Sequence, residues 1–139
     1  MRAFVDTNIL VYAHDADEPA KREIALAWLL DNAGEFVVSA QVLAEFYVTV
    51  TRKLSRPLAT AVAAEQLKEL ANGAVVPVDS ELVRSAARLS REHQVSLWDA
   101  MIVRAASRGG CDVVVSEDLA HGAILDGVQV LNPFLPPPA

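Results

Sequence analysis

The chain has 139 residues, 53% hydrophobic and 22% charged, with a net charge of −6 at pH 7. That is enough for one domain with a real core, too apolar for a disordered chain, and without any window near the ~20 apolar residues of a membrane span. The acidic balance argues against a protein that coats nucleic acid, but not against an enzyme that meets a phosphodiester through metal ions and a few arginines.

Taken in order, Ala3 to Val5 is a short apolar run that drives into Asp6-Thr7-Asn8. It reads as a buried strand with an acid at its C-terminal end, where open α/β sheets bind ligands. Asp6 also breaks the apolar stretch too early for a signal peptide. Ile9 to Ala13 reads as a short helix, and Pro19 opens a longer one over Ala20 to Leu30, with Ile24, Ala27 and Trp28 on one face. Phe36 to Val38 is a second strand, and Ser39 caps a helix from Ala40 to about Leu54. Leu58 to Leu70 is amphipathic and ends at Asn72-Gly73. Val75 to Val78 is a third strand whose Pro77 places it at an edge or a strand end.

Asp79 caps a helix to about His93, and Ser96-Leu97-Trp98-Asp99 opens another with a capping-box pattern, closed by Gly109-Gly110. Cys111 is the only cysteine, so no intrachain disulfide forms and a reducing cytoplasm is expected. Beside a strand it reads as a small core residue. Val113 to Val115 is a fourth strand running into Ser116-Glu117-Asp118, and Val128 to Leu131 is the last, stopped by Asn132-Pro133. A frayed Pro-rich tail follows. Strands alternating with helices imply a three-layer α/β/α sandwich on a mostly parallel sheet.

Four acids resist a purely structural reading. Asp6 and Asp118 follow strand runs whose ends a parallel sheet gathers on one side. Glu45 is the only charge between Ala40 and Val50, where an ionised carboxylate is costly unless paired, metal-bound or at an opening. Asp99 opens an equally apolar helix. Each has a local alternative: Asp6 as a turn acid, Asp99 as the reciprocal partner of Ser96, Asp118 as a first-turn acid, and Glu45 paired with Arg52 or Arg104. A shared metal site explains all four, since carboxylates suit Mg²⁺ or Mn²⁺ and such clusters polarise phosphodiesters and lower the pKa of an attacking water. His14, His93 and His121 are too scattered for zinc, and there is no phosphate loop, dinucleotide fingerprint or nucleophile elbow.

Asp6-Thr7-Asn8, Glu45, Ser96-Leu97-Trp98-Asp99-Ala100 and Ser116-Glu117-Asp118-Leu119 together resemble the PIN domain, and within it the VapC-like ribonuclease toxins of toxin–antitoxin pairs. The resemblance covers residues 1–134 as a single nuclease domain, with 135–139 as the tail. It implies that Asp6, Glu45, Asp99 and Asp118 are the catalytic and metal-binding quartet, supported through hydrogen bonds by Asn8 and Ser116. It further implies Mg²⁺- or Mn²⁺-dependent endonucleolytic hydrolysis of RNA in the cytoplasm, homodimerisation, and neutralisation by a small cognate antitoxin. Ser116 stands where the family often has Thr, which keeps the hydroxyl.

Arg52, Lys53 and Arg56, and Arg84, Arg88 and Arg91, are candidate phosphate contacts; the second set also reads as a solvated helix stripe. The apolar run of Val42, Phe46, Tyr47 and Val50 is core, with some of it available to a dimer mate or antitoxin helix. Two other readings compete. A Mg²⁺-dependent phosphatase with an aspartyl nucleophile wants a second Asp where Asn8 stands and leaves Glu45 idle. A non-catalytic PIN-like scaffold typically loses one or more of the four acids, and here all are present.

Overall fold

Ala3–Val5 forms strand β1, wholly buried near the middle of a six-stranded sheet in the computed structural model, which describes residues 1–138. The elements that follow are α1 (Thr7–Tyr12), α2 (Pro19–Asp31), β2 (Val37–Ser39), α3 (Ala40–Val48), α4 (Thr60–Ala71), β3 (Ala74–Val76), α5 (Ser80–His93), α6 (Leu97–Arg108), β4 (Val113–Val115), β5 (Ile124–Leu125) and β6 (Val128–Leu131). The strand order is β3-β2-β1-β4-β6-β5, parallel throughout except for the β5–β6 pair.

This order dictates the layers. The chain steps from β1 to β2 to β3 in one direction, and right-handed crossovers therefore place α1 to α4 on one face. It then returns over β2 and β1 to reach β4, which places α5 and α6 on the other. The core lies on both sides of the sheet, with Phe4, Val5, Val114 and Val115 at its centre and Phe46, Val42 and Leu82 among the helix residues packed against it. The α/β/α sandwich read from the sequence is the observed fold. Gly109 lets α6 end close against the sheet: a Cβ there would meet Val76 Cγ2 at 3.1 Å and Val37 Cγ1 at 3.3 Å.

Caps follow the sequence closely. The side chains of Ser39, Asp79 and Ser96 accept from the backbone N–H groups of Val42, Leu82 and Asp99. Pro77 follows edge strand β3.

Several details differ. The helix expected to run from Ala40 to about Leu54 is α-helical only to Val48 and then widens into a π-turn over Thr49–Lys53, with Leu54 N–H reaching back five residues to Thr49 O. The Thr51 hydroxyl donates to Tyr47 O at 2.7 Å, in the crowded β-branched run Thr49-Val50-Thr51. On α2 the packed residues are Ala25, Trp28 and Leu29, while Ile24 and Ala27 are exposed. From Ile24 to Leu30 every residue of that helix is apolar, so periodicity does not select a face. Val42, Phe46 and Val50 are fully buried and Tyr47 partly so, which leaves little of that run for an interface.

The sequence reading also lacks β5. It pairs with β6 across Asp126-Gly127, both at positive φ (51° and 76°), as a two-residue hairpin turn of the primed kind requires. Cys111 is buried in the core. No helix of the described residues is long and apolar enough to cross a membrane.

Candidate functional site

The strand order reverses between β1 and β4, and open α/β sheets form a crevice at such a point, outside the carboxyl ends of the strands. The β1–β4 register pairs Val5 with Val115, so the next residues, Asp6 and Ser116, emerge side by side. Asp6 is 5% exposed. Its Oδ1 accepts from Thr7 N at 2.7 Å, capping α1, and its Oδ2 accepts from Ser116 Oγ at 2.8 Å. The turn-acid reading of Asp6 is therefore part of the picture and not all of it, because the second oxygen is held by another strand's loop.

Asn8 links two acids. Its Nδ2 donates to Asp118 Oδ2 at 3.0 Å and, more weakly, to Asp6 Oδ2 and Ser116 Oγ at 3.4 Å; its Oδ1 accepts from Glu117 N at 3.3 Å. Asp118 lies in a bend and not in a helix, so the first-turn reading fails for it; its N–H donates to Ser116 Oγ at 3.1 Å. Glu45 comes in from α3, where its Oε1 accepts from Thr7 Oγ1 at 3.1 Å and from Gln41 Nε2 at 3.4 Å. Neither expected arginine pairs with it: Arg104 bonds Ser85, Ser107 and Asp126, and Arg52 is exposed. Among the described residues no cation forms an ion pair with Glu45. Ser96 makes its half of the capping box to Asp99 N at 3.1 Å, and no bond from the Ser96 N–H back to the Asp99 carboxylate forms among the described residues.

The electrostatics tie the four acids together. Burial pushes the Asp6 carboxyl up from its ordinary 3.8 to about 6, against the pull of Ser116 and Thr7, and the charges of Asp118 and Glu45 push it further. Asp99 is raised as well, by burial first and by the charge of Asp118. Asp6 thus feels Glu45 and Asp118 directly, whereas Asp99 joins through Asp118. An open cleft of about 630 Å³ adjoins them, lined among others by Thr7, Asn8, Tyr12, Glu45, Asp118 and Lys53.

No three His, Cys, Asp or Glu side chains of the described residues close around a common point as a metal cage. The donor set still fits Mg²⁺ or Mn²⁺. These ions take few protein oxygens and keep several waters, and the acids here are all oxygen donors, mutually repelling and without a cation partner. Thr7 and Gln41 escaped the sequence reading. Thr7 lay inside the quoted motif without a role, and Gln41 stands one helical turn before Glu45, a spacing that brings side chains together. Of the basic candidates, Lys53 lines the cleft; Arg84, Arg88 and Arg91 sit exposed on α5, across the sheet.

The PIN domain family model matches residues 3–124. No curated protein matches the sequence. Among solved structures the chain is similar to VapC20 of Mycobacterium tuberculosis, described as a Sarcin-Ricin loop cleaving toxin, with a TM-score of 0.69 at 21% identity over 84% of this chain and 89% of that one. It is similar to a toxin–antitoxin complex from Klebsiella pneumoniae (TM-score 0.69, 19% identity, 95% and 98% covered). It also resembles DNA-bound VapBC from Salmonella typhimurium (TM-score 0.66, 19% identity, 94% and 96% covered).

Proposed function

The chain belongs to the PIN domain family, and on that premise we propose that it is a Mg²⁺- or Mn²⁺-dependent endoribonuclease, the toxin of a toxin–antitoxin pair. The observation that carries the reading is the buried Asp6 at the strand-order reversal, its carboxyl raised by burial first and then by the charges of Asp118 and Glu45, with no ion pair to either among the described residues. Asp6, Glu45, Asp99 and Asp118 would hold the metal, with Asn8, Ser116, Thr7 and Gln41 orienting them. When bound, the divalent ion supplies Lewis-acid polarisation of the phosphodiester and a lowered pKa for the attacking water. The protein's own part is to aim acceptor oxygens into the cleft, and Lys53 offers a positive contact to the substrate backbone.

The partners follow from the same reading: an RNA substrate, a second copy of the chain, and a small antitoxin, in the cytoplasm. The structural neighbours taken from toxin–antitoxin complexes support it. The phosphatase alternative gains no support: the position two residues after Asp6 is Asn8, whose amide donates to Asp118, and Glu45, for which that reading has no role, bonds Thr7 beside Asp6.

The test is a thermal-unfolding titration with Mn²⁺ and Mg²⁺ on wild type, Asp6→Asn and Glu45→Gln, followed by RNA cleavage. A ligand specific to the folded state adds stability that grows above its Kd. Metal stabilises wild type, both substitutions weaken the response, and both suppress cleavage. No response in any form would refute the metal-dependent reading.

A further inference from the structure

Glu117 stands between Ser116, whose hydroxyl bonds Asp6, and Asp118, yet its own side chain turns away from the acids. Its carboxylate accepts from the Tyr12 phenol on α1 and pairs with Lys21 Nζ on α2 at 2.6 Å. Lys21 Nζ also lies 5.0 Å from the Tyr12 ring centre and 5.4 Å from that of Phe134. The two rings meet edge to face at 5.3 Å.

Phe134 is the last residue of the domain read from the sequence, and the structure ties down both it and the start of the Pro-rich tail expected to fray. Phe134 N donates to Asn132 Oδ1 at 2.9 Å, Asn132 N donates to His121 Nδ1 at 2.9 Å, and His121 Nε2 donates to Pro136 O at 2.8 Å. Side chains from α1 and α2 near the N-terminus and from two segments near the C-terminus therefore converge on one point beside Asp118.

We propose that Tyr12, Lys21, Glu117 and Phe134 form a clamp that positions the Ser116–Asp118 loop, and with it the acid Asp118, against the rest of the site. The inference rests on the metal-site reading above. The loop needs such a clamp: it has no helix or strand of its own, Asp118 is exposed, and its carboxylate sits close enough to Asp6 and Asp99 for like charges to oppose its placement. Against that repulsion Asp118 has its contact with Asn8 Nδ2 and its backbone bond to Ser116. Lys21 offsets the charge of Glu117, so the anchor adds nothing to the repulsion it resists. None of the four touches the acids' oxygens, so they are positioning residues. Charge-assisted bonds and aromatic contacts of this kind set geometry more firmly than neutral ones.

Two measurements on the intact chain test the clamp, on wild type, Lys21→Met, Glu117→Gln and Phe134→Leu, with Lys21→Arg as the conservative control. The first is the Mn²⁺ dissociation constant from thermal titration. It rises about tenfold for Lys21→Met, the order found for residues that orient metal ligands. It rises less for Glu117→Gln, which retains an acceptor for Tyr12, and is largely restored in Lys21→Arg. Cleavage then recovers at saturating Mn²⁺.

The second is hydrogen exchange in EDTA at the Glu117 and Asp118 amides, which bond Asn8 and Ser116 in this structure. Exchange speeds up at these amides in Lys21→Met and Phe134→Leu while the β1 and β4 amides stay protected. Variants that match wild type in both affinity and exchange overturn the clamp and leave the metal site standing. A wild type that ignores Mn²⁺ overturns the metal reading, and the clamp's role in it falls too.

Discussion

Asp6→Asn offers a quantitative test of how the acids are held. In the metal-free protein the folded-state carboxyl of Asp6 is raised from an ordinary 3.8 to about 6. A group whose pKa is raised by folding contributes its stability fully below the unfolded value and loses it as pH climbs through the folded one. Asp6 is therefore neutral and harmless near pH 4, and progressively destabilising up to about pH 7. At ~1.4 kcal/mol per pH unit, the gap corresponds to roughly 3 kcal/mol. With about 2.1 cal/mol/K of unfolding entropy per residue, that is a Tm difference of ~10 °C for a chain this size.

The Asn side chain keeps an acceptor for Thr7 N–H but presents an amide to Ser116 Oγ, which already accepts from Asn8 and from Asp118 N. Losing one good hydrogen bond costs about 1 kcal/mol, which reduces the net gain at pH 8 to ~2 kcal/mol. The assay is urea or thermal unfolding of both proteins in EDTA from pH 4 to 8. The variant gains on wild type as pH rises from about 4 to 6, the gap levels off by about pH 7, and saturating Mn²⁺ narrows or reverses it. A difference that stays constant across this range would refute the assignment of a buried, repelled carboxylate.

Other outcomes follow from the same structure. Glu45→Gln removes a charge that raises Asp6 but keeps acceptors for Thr7 and Gln41; metal-free stability changes by less than about 1 kcal/mol, while RNA cleavage falls by roughly 100-fold or more, beyond what losing an orienting partner costs. Lys53→Ala raises KM for RNA and flattens its salt dependence, whereas Arg88→Ala on the far face changes neither, as cleavage kinetics across salt concentrations will show. Ser39→Ala removes the buried cap of α3, whose Oγ accepts from Val42 N at 3.3 Å, and lowers unfolding free energy by about 1–2 kcal/mol in urea titrations. Gly127→Ala meets no neighbouring atom but must hold φ of 76°, so it costs ~1–2 kcal/mol through backbone strain alone, read from the Tm.

Much of this protein is written locally. Apolar runs of three residues mark β1 and β4, side-chain caps mark the starts of α3, α5 and α6, and Pro77 marks an edge, because each feature depends only on neighbours along the chain. Asp6 could be singled out for the same reason: an acid directly after a buried strand has few structural uses. The Asp126-Gly127 turn of the β5 hairpin is an equally local signal.

What the sequence could not supply is who meets whom. Glu45 faces Thr7 and Gln41, not an arginine, because α3 packs beside α1. Whether the Pro-rich tail frays depends on His121, 15 residues before the Pro136 carbonyl it holds, and Phe134 packs on Tyr12, more than a hundred residues away. Tyr12, Lys21, Glu117 and Phe134 meet only because β1, β4 and β6 lie adjacent in the sheet, and their mutual attraction leaves no periodic trace. Periodicity and caps are near-neighbour physics and determined the elements; strand order and burial are collective, and they alone decided which side chains share a site and how strongly their charges interact.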